Sequence, residues 1–301
     1  MSDPVVVTNG LCKSYGDKRV LDRVNLCVPA AKLVGFLGPN GAGKTTTLRI
    51  MLGLLKPTSG SAHIFGLDCH RQGRAIRQRV GFLPGDVNLY PSMSGAATLK
   101  FLARTRKTDC GTEFDRLSQR FELPLNRKVR KYSTGMRQKL GLIQALMHQP
   151  DLLVLDEPTS ALDPLVRTVL FEELRHVVQQ GRTVLFSSHS LGEVEELCDE
   201  VIILRSGRIV EQQNIDVLRS RALRKVTLFF SDPAHNPQTI PEPVSHALQI
   251  IQRDQHQLQM TFSGEITQLL NYIQSLEVQD VMIEKPDLND LFLTYYQEQV
   301  V

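Results

Sequence analysis

Residues 38–45 combine glycines, a lysine and a threonine at a spacing that can bind a polyphosphate. The run is Gly-Pro-Asn-Gly-Ala-Gly-Lys-Thr, which matches the phosphate-binding pattern G-x-x-x-x-G-K-[ST] at every fixed position. Its glycines allow the backbone to wrap closely around an anion, so that successive N–H groups point inward. Lys44 can reach the β- and γ-phosphates, and the Thr45 hydroxyl can ligate Mg²⁺. These residues predict a nucleoside triphosphate site.

The elements on either side of this loop must be a strand and a helix if it is to bind phosphate. The apolar run Leu33–Leu37 predicts a buried parallel strand, and Thr45–Met51 predicts the start of a helix. A helix N-terminus favours negative charge, because its first N–H groups lack intrahelical partners and its dipole is positive there. This context argues against a chance glycine-rich turn.

Two acids follow another apolar run, Leu152–Leu155. In a fold with such a phosphate loop, this strand lies beside the phosphate strand. Asp156 would then help to hold Mg²⁺, mostly through water, and Glu157 would face the attacking water as general base. The alternative is a solvated acidic turn after a core strand, which would be the better interpretation if the phosphate loop were absent.

A histidine follows a third apolar run, Thr183–Phe186, after two serines. At such a strand end, His189 can hydrogen-bond a γ-phosphate and orient the water. A surface histidine in a loop is the alternative. The order and spacing of His189 after the acidic strand favour the functional interpretation.

A second helix start lies shortly before the acidic strand. Ser133 resembles a helix N-cap, and Gly135 allows close approach of backbone. An ordinary capped helix is one interpretation, and a second anion-binding helix N-terminus is the other. Because a chain with one phosphate loop has no unfilled phosphate site of its own, this N-terminus could bind nucleotide held by another copy.

Together these motifs resemble the nucleotide-binding subunit of an ATP-binding cassette (ABC) transporter. The resemblance covers about residues 5–218 in the family's order, with the P-loop Gly38–Thr45, the signature motif Tyr132–Met136, the acidic strand Leu152–Glu157, the D-loop Ser160–Asp163 and the switch histidine His189. It implies an α/β fold of the P-loop NTPase (ABC ATPase) type, with a mainly parallel sheet and a helical subdomain.

The resemblance also implies a role for each matched residue, with ATP and Mg²⁺ as the bound groups. Tyr15 matches the family's adenine-stacking aromatic, although an edge-strand tyrosine is the alternative. The catalytic residues implied are Lys44, Glu157 and His189, and the metal-binding residues are Thr45 and Asp156. The nucleotide-binding residues implied are Tyr15, Gly38, Pro39, Asn40, Gly41, Ala42, Gly43, Lys44, Thr45 and Thr46 of one copy, with Ser133, Gly135 and Asp163 at the interface with the other.

Two motifs depart from the family pattern. The signature is Tyr-Ser-Thr-Gly-Met, where the family usually has Leu-Ser-Gly-Gly-Gln, although Ser133 and Gly135 remain. Gly85 stands where the family's Q-loop glutamine belongs, and glycine has no side chain to reach Mg²⁺ or the water. Asp86 could substitute if the loop shifts by one residue, or it could be an exposed loop acid.

Both departures are similar to those of the bacterial ABC-2 type exporters of drugs and other hydrophobic or polymeric compounds. The tail Lys285–Tyr296 is also similar to the ending of that subgroup's ATPase subunits. Within it, Tyr295 and Tyr296 are interpreted as packing residues.

A change of composition near residue 218 predicts two domains, 1–218 and a small α+β domain over 219–301. The second domain has alternating strands around Val226 and Leu258, separated by a proline-rich loop, Ser231–Val244. Two helices with one apolar face each complete it. Their apolar residues are Ile266, Leu269, Leu270 and Ile273 in the first, and Leu288, Leu291, Phe292 and Tyr295 in the last.

Length and composition limit the class of protein. The chain has 301 residues and a net charge of +3, which is too mild to indicate a nucleic-acid partner. Five scattered cysteines suggest reduced thiols rather than a disulfide framework. The N-terminus lacks a signal-peptide pattern, and no apolar run approaches the roughly 20 residues that span a bilayer. We therefore expect a cytosolic protein or a peripheral subunit. The resemblance to ABC transporters implies the second, a cytoplasmic subunit that is peripheral on the inner face of the cell membrane.

The function predicted is the ATPase subunit of an ABC-2 type exporter. Its expected partners are an integral membrane permease subunit and a second copy of the ATPase. A soluble ABC ATPase in translation or DNA repair is an alternative, but the first usually has two cassettes and the second a long coiled coil. A regulatory adaptor is another, which intact Glu157 and His189 argue against. Import is disfavoured only by the subgroup resemblance.

Overall fold

The structure, a computed structural model, describes residues 3–106, 110–221, 223–238, 240 and 246–284. The chain divides into two compact units, Met1–Ile215 and Asp216–Val301. The boundary expected from composition, between residues 218 and 219, falls shortly inside the second of these units. Each unit has its own sheet structure and its own apolar core.

The strands of the first unit form two sheets, one antiparallel and one mainly parallel. Along the chain they are β1 (Val6–Tyr15), β2 (Lys18–Val28), β3 (Leu33–Leu37), β4 (Ser59–Ile64), β5 (Leu67–Asp68), β6 (Val80–Leu83), β7 (Leu152–Asp156), β8 (Thr183–Ser188), β9 (Glu200–Arg205) and β10 (Arg208–Asn214). The antiparallel sheet has the order β2-β1-β4-β5 and the other has the order β10-β9-β3-β8-β7-β6.

The larger sheet is parallel except at its β10 edge. Every residue of β3, β7 and β8 is buried, as expected for apolar strands covered on both faces. The strands predicted from the apolar runs are confirmed, and so is the α/β class with a mainly parallel sheet. Because these strands are parallel, their carboxyl ends meet at one edge, where ligands bind in α/β proteins.

The helices of the first unit connect these strands. They are α1 (Lys44–Met51), α2 (Gly73–Arg79), α3 (Gly95–Arg106), α4 (Gly111–Arg120), α5 (Thr134–Leu146), α6 (Pro164–Gln179) and α7 (Leu191–Leu197). Helices α3 to α5 follow one another between β6 and β7 and form the expected helical subdomain. Among the described residues, no helix is both long enough and apolar enough to cross a membrane.

An ion-pair cluster joins the helical subdomain to α6. Glu173 of α6 has only 5% of its side chain exposed, and Arg116 of α4 pairs with it at 2.7 Å. Arg120 contacts the same carboxylate through Nε at 3.1 Å. Burial opposes ionisation of Glu173, but the hydrogen bonds from the two arginines lower its pKa on balance. Separating α4 from α6 would leave the buried charge of Glu173 without its arginine partners, which is unfavourable. This cluster therefore holds α4 against α6.

The core of the first unit holds the strand and helix on either side of the phosphate loop. Side chains of β1 and β2 pack with those of β3 and α1, and burial of each large apolar side chain contributes about 1.5–3 kcal/mol. The residues involved include Val6, Leu11, Leu21, Val24, Val34, Phe36, Leu48 and Ile50. The loop between β3 and α1 is therefore anchored at both ends on packed elements.

The second unit is an antiparallel sheet with a helix. After α8 (Ile215–Arg221), which begins at the last residue of the first unit, come β11 (Arg224–Phe229), β12 (Leu248–Arg253), β13 (Gln257–Phe262), α9 (Ile266–Gln274) and β14 (Asp280–Ile283). The strand order is β12-β13-β11-β14, and every pairing is antiparallel. Val226, Leu228, Leu258, Met260 and Phe262 are buried in its core, which confirms the α+β class of this part of the chain.

The apolar face predicted for α9 is partly wrong. Leu269 and Ile273 are buried, but Leu270 is 50% exposed and Ile266 is 37% exposed. Tyr272 is buried instead. The buried positions 269, 272 and 273 follow the three- and four-residue spacing of one helix face. That face includes Tyr272 and excludes Leu270, so it is turned around the helix relative to the predicted one.

Part of the predicted organisation of this unit lies outside the described residues. The proline-rich loop contains a short 3₁₀ turn at Pro233–His235, while its residues 239 and 241–244 are not described. The final helix, with Leu288, Leu291, Phe292 and Tyr295, and the tail Lys285–Tyr296 also lie outside the described residues.

The five cysteines, all within the described residues, are thiols that form no disulfide bond, as the sequence predicts. Burial raises the pKa of the Cys69 thiol to about 12, and it raises the pKa of Cys198 well above its ordinary value. Both groups are therefore protonated and unreactive near neutral pH.

Candidate functional site

Residues that follow four parallel strands meet at the carboxyl edge of the larger sheet. The order β3-β8-β7-β6 places the phosphate loop after β3, then His189 after β8, Glu157 after β7 and Gly85 after β6. The prediction that the acidic strand lies directly beside the phosphate strand is therefore wrong, because β8 pairs with both and lies between them. Leu37 at the end of β3 is in register with Ser188 at the end of β8. The sheet therefore brings together motifs that are far apart in the chain.

The phosphate loop has the backbone geometry that its glycines permit. Gly43 precedes α1 with φ of 110°, in the left-handed region that favours glycine, and a Cβ there would lie 2.6 Å from Leu21 Cδ2. A Cβ added at Gly41 would meet no atom within 4 Å, so this part of the loop faces open space. The first N–H groups of α1 lack intrahelical partners and can bind an anion at this space.

Lys44 is a buried cation at the edge of the loop. It is 5% exposed, and its Nζ donates to the Gly38 carbonyl at 2.6 Å and the Pro39 carbonyl at 3.3 Å. The same Nζ lies 3.2 Å from Glu157 Oε1. Two carbonyls therefore hold the ammonium group between the loop and the acid after β7.

Asp156 is held by two hydroxyl groups. Thr45 Oγ1 donates to Asp156 Oδ2 at 2.7 Å, which joins the loop to the end of β7. Ser187 Oγ donates to Asp156 Oδ1 at 2.7 Å and accepts from the backbone N–H of Glu157 at 3.0 Å. Sequence reasoning missed the role of Ser187. A hydroxyl residue two positions before His189, at the end of a buried strand, was the available signal.

Glu157 lies between two candidate partners. Its Oε1 contacts Lys44, and its Oε2 lies 3.4 Å from Nδ1 of His189, whose side chain is 56% exposed. The Glu157 backbone has φ of 47°, a left-handed conformation that costs a non-glycine residue about 1–3 kcal/mol and occurs where surrounding structure enforces it. The structure thus brings together Lys44, Glu157 and His189, the three residues predicted to be catalytic.

Tyr15 lies on the antiparallel sheet rather than at this edge. It is the last residue of β1, which is an inner strand, and it is 51% exposed. Lys13 Nζ lies 4.9 Å from its ring centroid and donates to the Lys56 carbonyl at 2.9 Å. Lys13, which sequence reasoning did not single out, therefore covers one face of the ring.

The other predicted nucleotide-binding residues lie at two helix starts. Ser133 caps α5 by accepting the Met136 N–H at 3.2 Å, and Asp163 caps α6 by accepting a backbone N–H at 3.0 Å. A Cβ on Gly135 would lie 2.9 Å from the Ala161 carbonyl oxygen, so a glycine lets the two helix starts approach. In the described part of the chain, no hydrogen bond or ion pair joins these caps to the phosphate loop.

Comparison with known proteins shows the family to which this chain belongs. The family model described as "ABC transporter" matches residues 21–160. The daunorubicin resistance ATP-binding protein DrrA3 of Streptomyces coeruleorubidus is 32% identical, over 97% of this chain and 96% of that protein. This chain belongs to the ABC transporter family. Binding and hydrolysis of ATP are accordingly its activity.

Further relatives agree with this ABC assignment. The Nod factor export ATP-binding protein I of Ralstonia nicotianae is 38% identical, over 70% of this chain and 67% of that protein. A solved structure of an ATP binding subunit of an ABC transporter superposes with a TM-score of 0.67 at 29% identity, covering 71% of this chain and 92% of that one. The ABC ATPase fold is therefore confirmed.

The unusual signature residues of this ABC chain leave the helix cap intact. Tyr132 is 4% exposed, and its hydroxyl donates to the Pro124 carbonyl at 2.7 Å. The backbone N–H of Met136 donates to Ser133 Oγ. This capping bond therefore does not depend on the side chain of Met136. Tyr132 and Met136 are therefore accommodated without disturbing the start of α5.

Gly85, at the Q-loop position, lies directly beside Asp156. A Cβ on Gly85 would be 3.5 Å from Asp156 Oδ2, which is an ordinary contact distance. Asp86 is exposed, and its Oδ2 accepts from Asn88 Nδ2 at 3.0 Å. Position 85 therefore has room for a side chain near the acid, while the Asp86 carboxyl group bonds within its own loop.

A glutamine at position 85 should increase ATP hydrolysis. In Gly85→Gln, the added amide can hydrogen-bond the attacking water beside Asp156, and one such bond contributes about 0.5–1.5 kcal/mol, or roughly a two- to tenfold higher kcat. Steady-state phosphate release by the purified chain measures this. Gly85→Met is the control, because it adds similar volume without the amide. If neither variant changes kcat, the ABC Q-loop works here without a side chain at position 85.

Proposed function

We propose that this chain is the ATP-hydrolysing subunit of an ABC-2 type exporter, driving efflux of a drug-like, lipid or polymeric compound through a separate membrane subunit. The observation that carries the proposal is the position of Glu157 between Lys44 and His189. This arrangement is suited to repeated hydrolysis rather than to nucleotide binding alone. The printed names of two relatives, which state daunorubicin resistance and Nod factor export, support export as the direction.

In this proposal, ATP binds across both sheets of the first unit. The adenine stacks on Tyr15, on the ring face opposite Lys13, and the loop Gly38–Thr46 surrounds the phosphates. Lys44 contacts the β- and γ-phosphates, so the γ-phosphate competes with Glu157 for the ammonium group of Lys44. Binding of ATP would therefore release Glu157 to face the water.

The donor set beside the loop fits Mg²⁺. Thr45 and Asp156 supply a hydroxyl and carboxylate oxygens, which are ligands that Mg²⁺ prefers. Among the described residues, no group of three or more His, Cys, Asp or Glu forms a separate metal cage. Thr45 and Asp156 would hold a Mg²⁺ shared with the substrate phosphates, where it would neutralise charge on their oxygens.

Hydrolysis would then depend on the two residues that follow β7 and β8. Glu157 accepts a proton from the water as the water oxygen bonds to the γ-phosphorus and the bond to the β–γ bridging oxygen breaks. His189 donates a hydrogen bond to the γ-phosphate and orients the water. Ser187 keeps the Glu157 backbone and the Asp156 side chain in fixed relation throughout.

A second copy would complete each site. Ser133 is exposed and begins a helix that no hydrogen bond or ion pair of the described residues connects to its own phosphate loop. Ser133 and Gly135 would close over nucleotide held by the other copy, with Asp163 bridging the interface. Two bound ATP molecules would close this head-to-tail dimer because the γ-phosphate supplies contacts that ADP lacks. Hydrolysis would reopen it.

The surface proposed to bind the membrane subunit is the loop 85–91 with helix α3. Tyr90 and Phe101 form an edge-to-face pair there, with centroids 5.4 Å apart, and both are exposed, by 48% and 42%. Exposed aromatic pairs of this kind are typical anchors of protein interfaces. A permease bound here would place this chain on the cytoplasmic face of the membrane, without a nucleic-acid partner.

Recovery of partners from native membranes tests the exporter proposal. After gentle solubilisation, pull-down of this chain should recover a multi-span membrane protein in stoichiometric amount. The double variant Tyr90→Ala and Phe101→Ala should reduce that recovery at least tenfold, since an aromatic anchor contributes about 2 kcal/mol or more. Val210→Ala, which shortens an exposed side chain on the edge strand β10, is the control. Recovery of ribosomes, DNA or no partner would contradict export.

A further inference from the structure

Glu193, on helix α7, accepts hydrogen bonds from both chain segments that carry the Glu157–His189 pair. Its Oε2 accepts from Ser188 Oγ, directly before His189, at 2.7 Å. The same oxygen accepts from Thr159 Oγ1, in the segment that follows Glu157, at 3.1 Å. One carboxyl group therefore links the ends of β7 and β8 beyond the sheet itself.

Ser188 extends this link to the far side of His189. The hydroxyl of Ser188, which is 3% exposed, also accepts the backbone N–H of Ser190 at 2.9 Å. This bond closes a turn around His189. Because the Ser188 hydroxyl donates to Glu193, the carboxyl group of Glu193 fixes the side-chain orientation of Ser188. It thereby positions the hydroxyl oxygen that accepts the Ser190 N–H.

The backbone of Glu157 depends on contacts on both sides. Its left-handed φ of 47° is a conformation that non-glycine residues keep only where surrounding structure fixes it. Ser187 fixes the Glu157 N–H from one side. On the other side, the hydrogen bond from Thr159 to Glu193 fixes the chain that leaves Glu157.

We propose that Glu193 is a positioning residue for ATP hydrolysis. Through Thr159 and Ser188 it keeps Glu157 and His189 at their mutual distance, without touching the nucleotide. The inference rests on the proposed roles of Glu157 and His189. It predicts that Glu193 controls the rate of hydrolysis and leaves the affinity for ATP unchanged.

Removal of the carboxyl group tests this in the full chain. Glu193→Ala should lower kcat about 10–100-fold, because small displacements of catalytic groups have effects of this size, while KM for ATP stays within about twofold. Glu193→Gln keeps an oxygen that accepts both hydroxyls and should retain kcat within about threefold of the unmodified chain. Glu196→Ala, an exposed glutamate on the same helix, is the control and should leave kcat unchanged.

A second comparison asks whether Glu193 acts through the two hydroxyls. The double variant Thr159→Val and Ser188→Ala should lose kcat to the same extent, and adding Glu193→Ala should cause little further loss. Independent, multiplying losses would overturn the inference. A normal kcat in Glu193→Ala would also overturn it, and so would a joint loss of kcat, ATP affinity and thermal stability in that variant. A Glu193→Gln chain as slow as Glu193→Ala would overturn it as well.

Measuring Glu157→Gln in parallel distinguishes a failure of the proposed roles of Glu157 and His189 from a failure of the role of Glu193 alone. If Glu157→Gln still hydrolyses ATP, the proposed function of the site fails, and the role of Glu193 fails with it. If Glu157→Gln is inactive while Glu193→Ala is fully active, only the role of Glu193 fails.

Discussion

Replacing Glu157 with glutamine should leave ATP bound but hardly hydrolysed. The amide keeps the size of the side chain but cannot accept a proton from water. Loss of a general base usually lowers kcat about 10²–10⁴-fold. ATP affinity should stay equal or rise, because Lys44 no longer pairs with a competing carboxylate. Phosphate release measures kcat, and nucleotide binding at equilibrium measures the affinity.

The same variant should accumulate closed dimers. Because ATP then remains intact, the contacts of its γ-phosphate persist, and size-exclusion chromatography with ATP should show a species of twice the mass. Glu196→Gln, which makes the same chemical change on an exposed surface, should behave as the unmodified chain. Hydrolysis at a near-normal rate in Glu157→Gln would show that another group accepts the proton.

Replacing Lys44 with alanine should impair both binding and hydrolysis. Lys44 is buried, is held by the carbonyls of Gly38 and Pro39, and is the cation paired with Glu157. A hydrogen bond to a charged group contributes about 1.5–3 kcal/mol, so the dissociation constant of ATP should rise roughly 10–100-fold. Hydrolysis at saturating ATP should also fall, since the γ-phosphate loses its buried cation.

Lys100→Ala is the matched control, because Lys100 is exposed on α3 and lies outside the loop. A Lys44→Ala chain that binds and turns over ATP normally would contradict the phosphate role of Lys44. Thermal unfolding of both variants would show whether a loss of activity reflects a loss of fold.

The fold of the first unit could be predicted largely from local patterns. Apolar runs such as Leu33–Leu37 and Leu152–Leu155 are buried strands because side chains on both faces must leave water. The phosphate loop and the Ser133 cap were also predicted, because glycine conformations and N-cap hydrogen bonds are local properties. The helix face of α9 was partly missed, since the packing of its neighbours decides which apolar residues are buried.

The sequence by itself determined which residues can carry the chemistry: the P-loop lysine and threonine, the acids after β7 and the histidine after β8. Only the tertiary structure decided how they are held. Ser187 bonds Asp156 across 31 positions of the chain, and Glu193 bonds Thr159 across 34. The room beside Gly85 is likewise set by Asp156 on the neighbouring strand. The physical reason is that hydrogen bonds between strand ends depend on sheet order and register, which arise only when the whole sheet is formed.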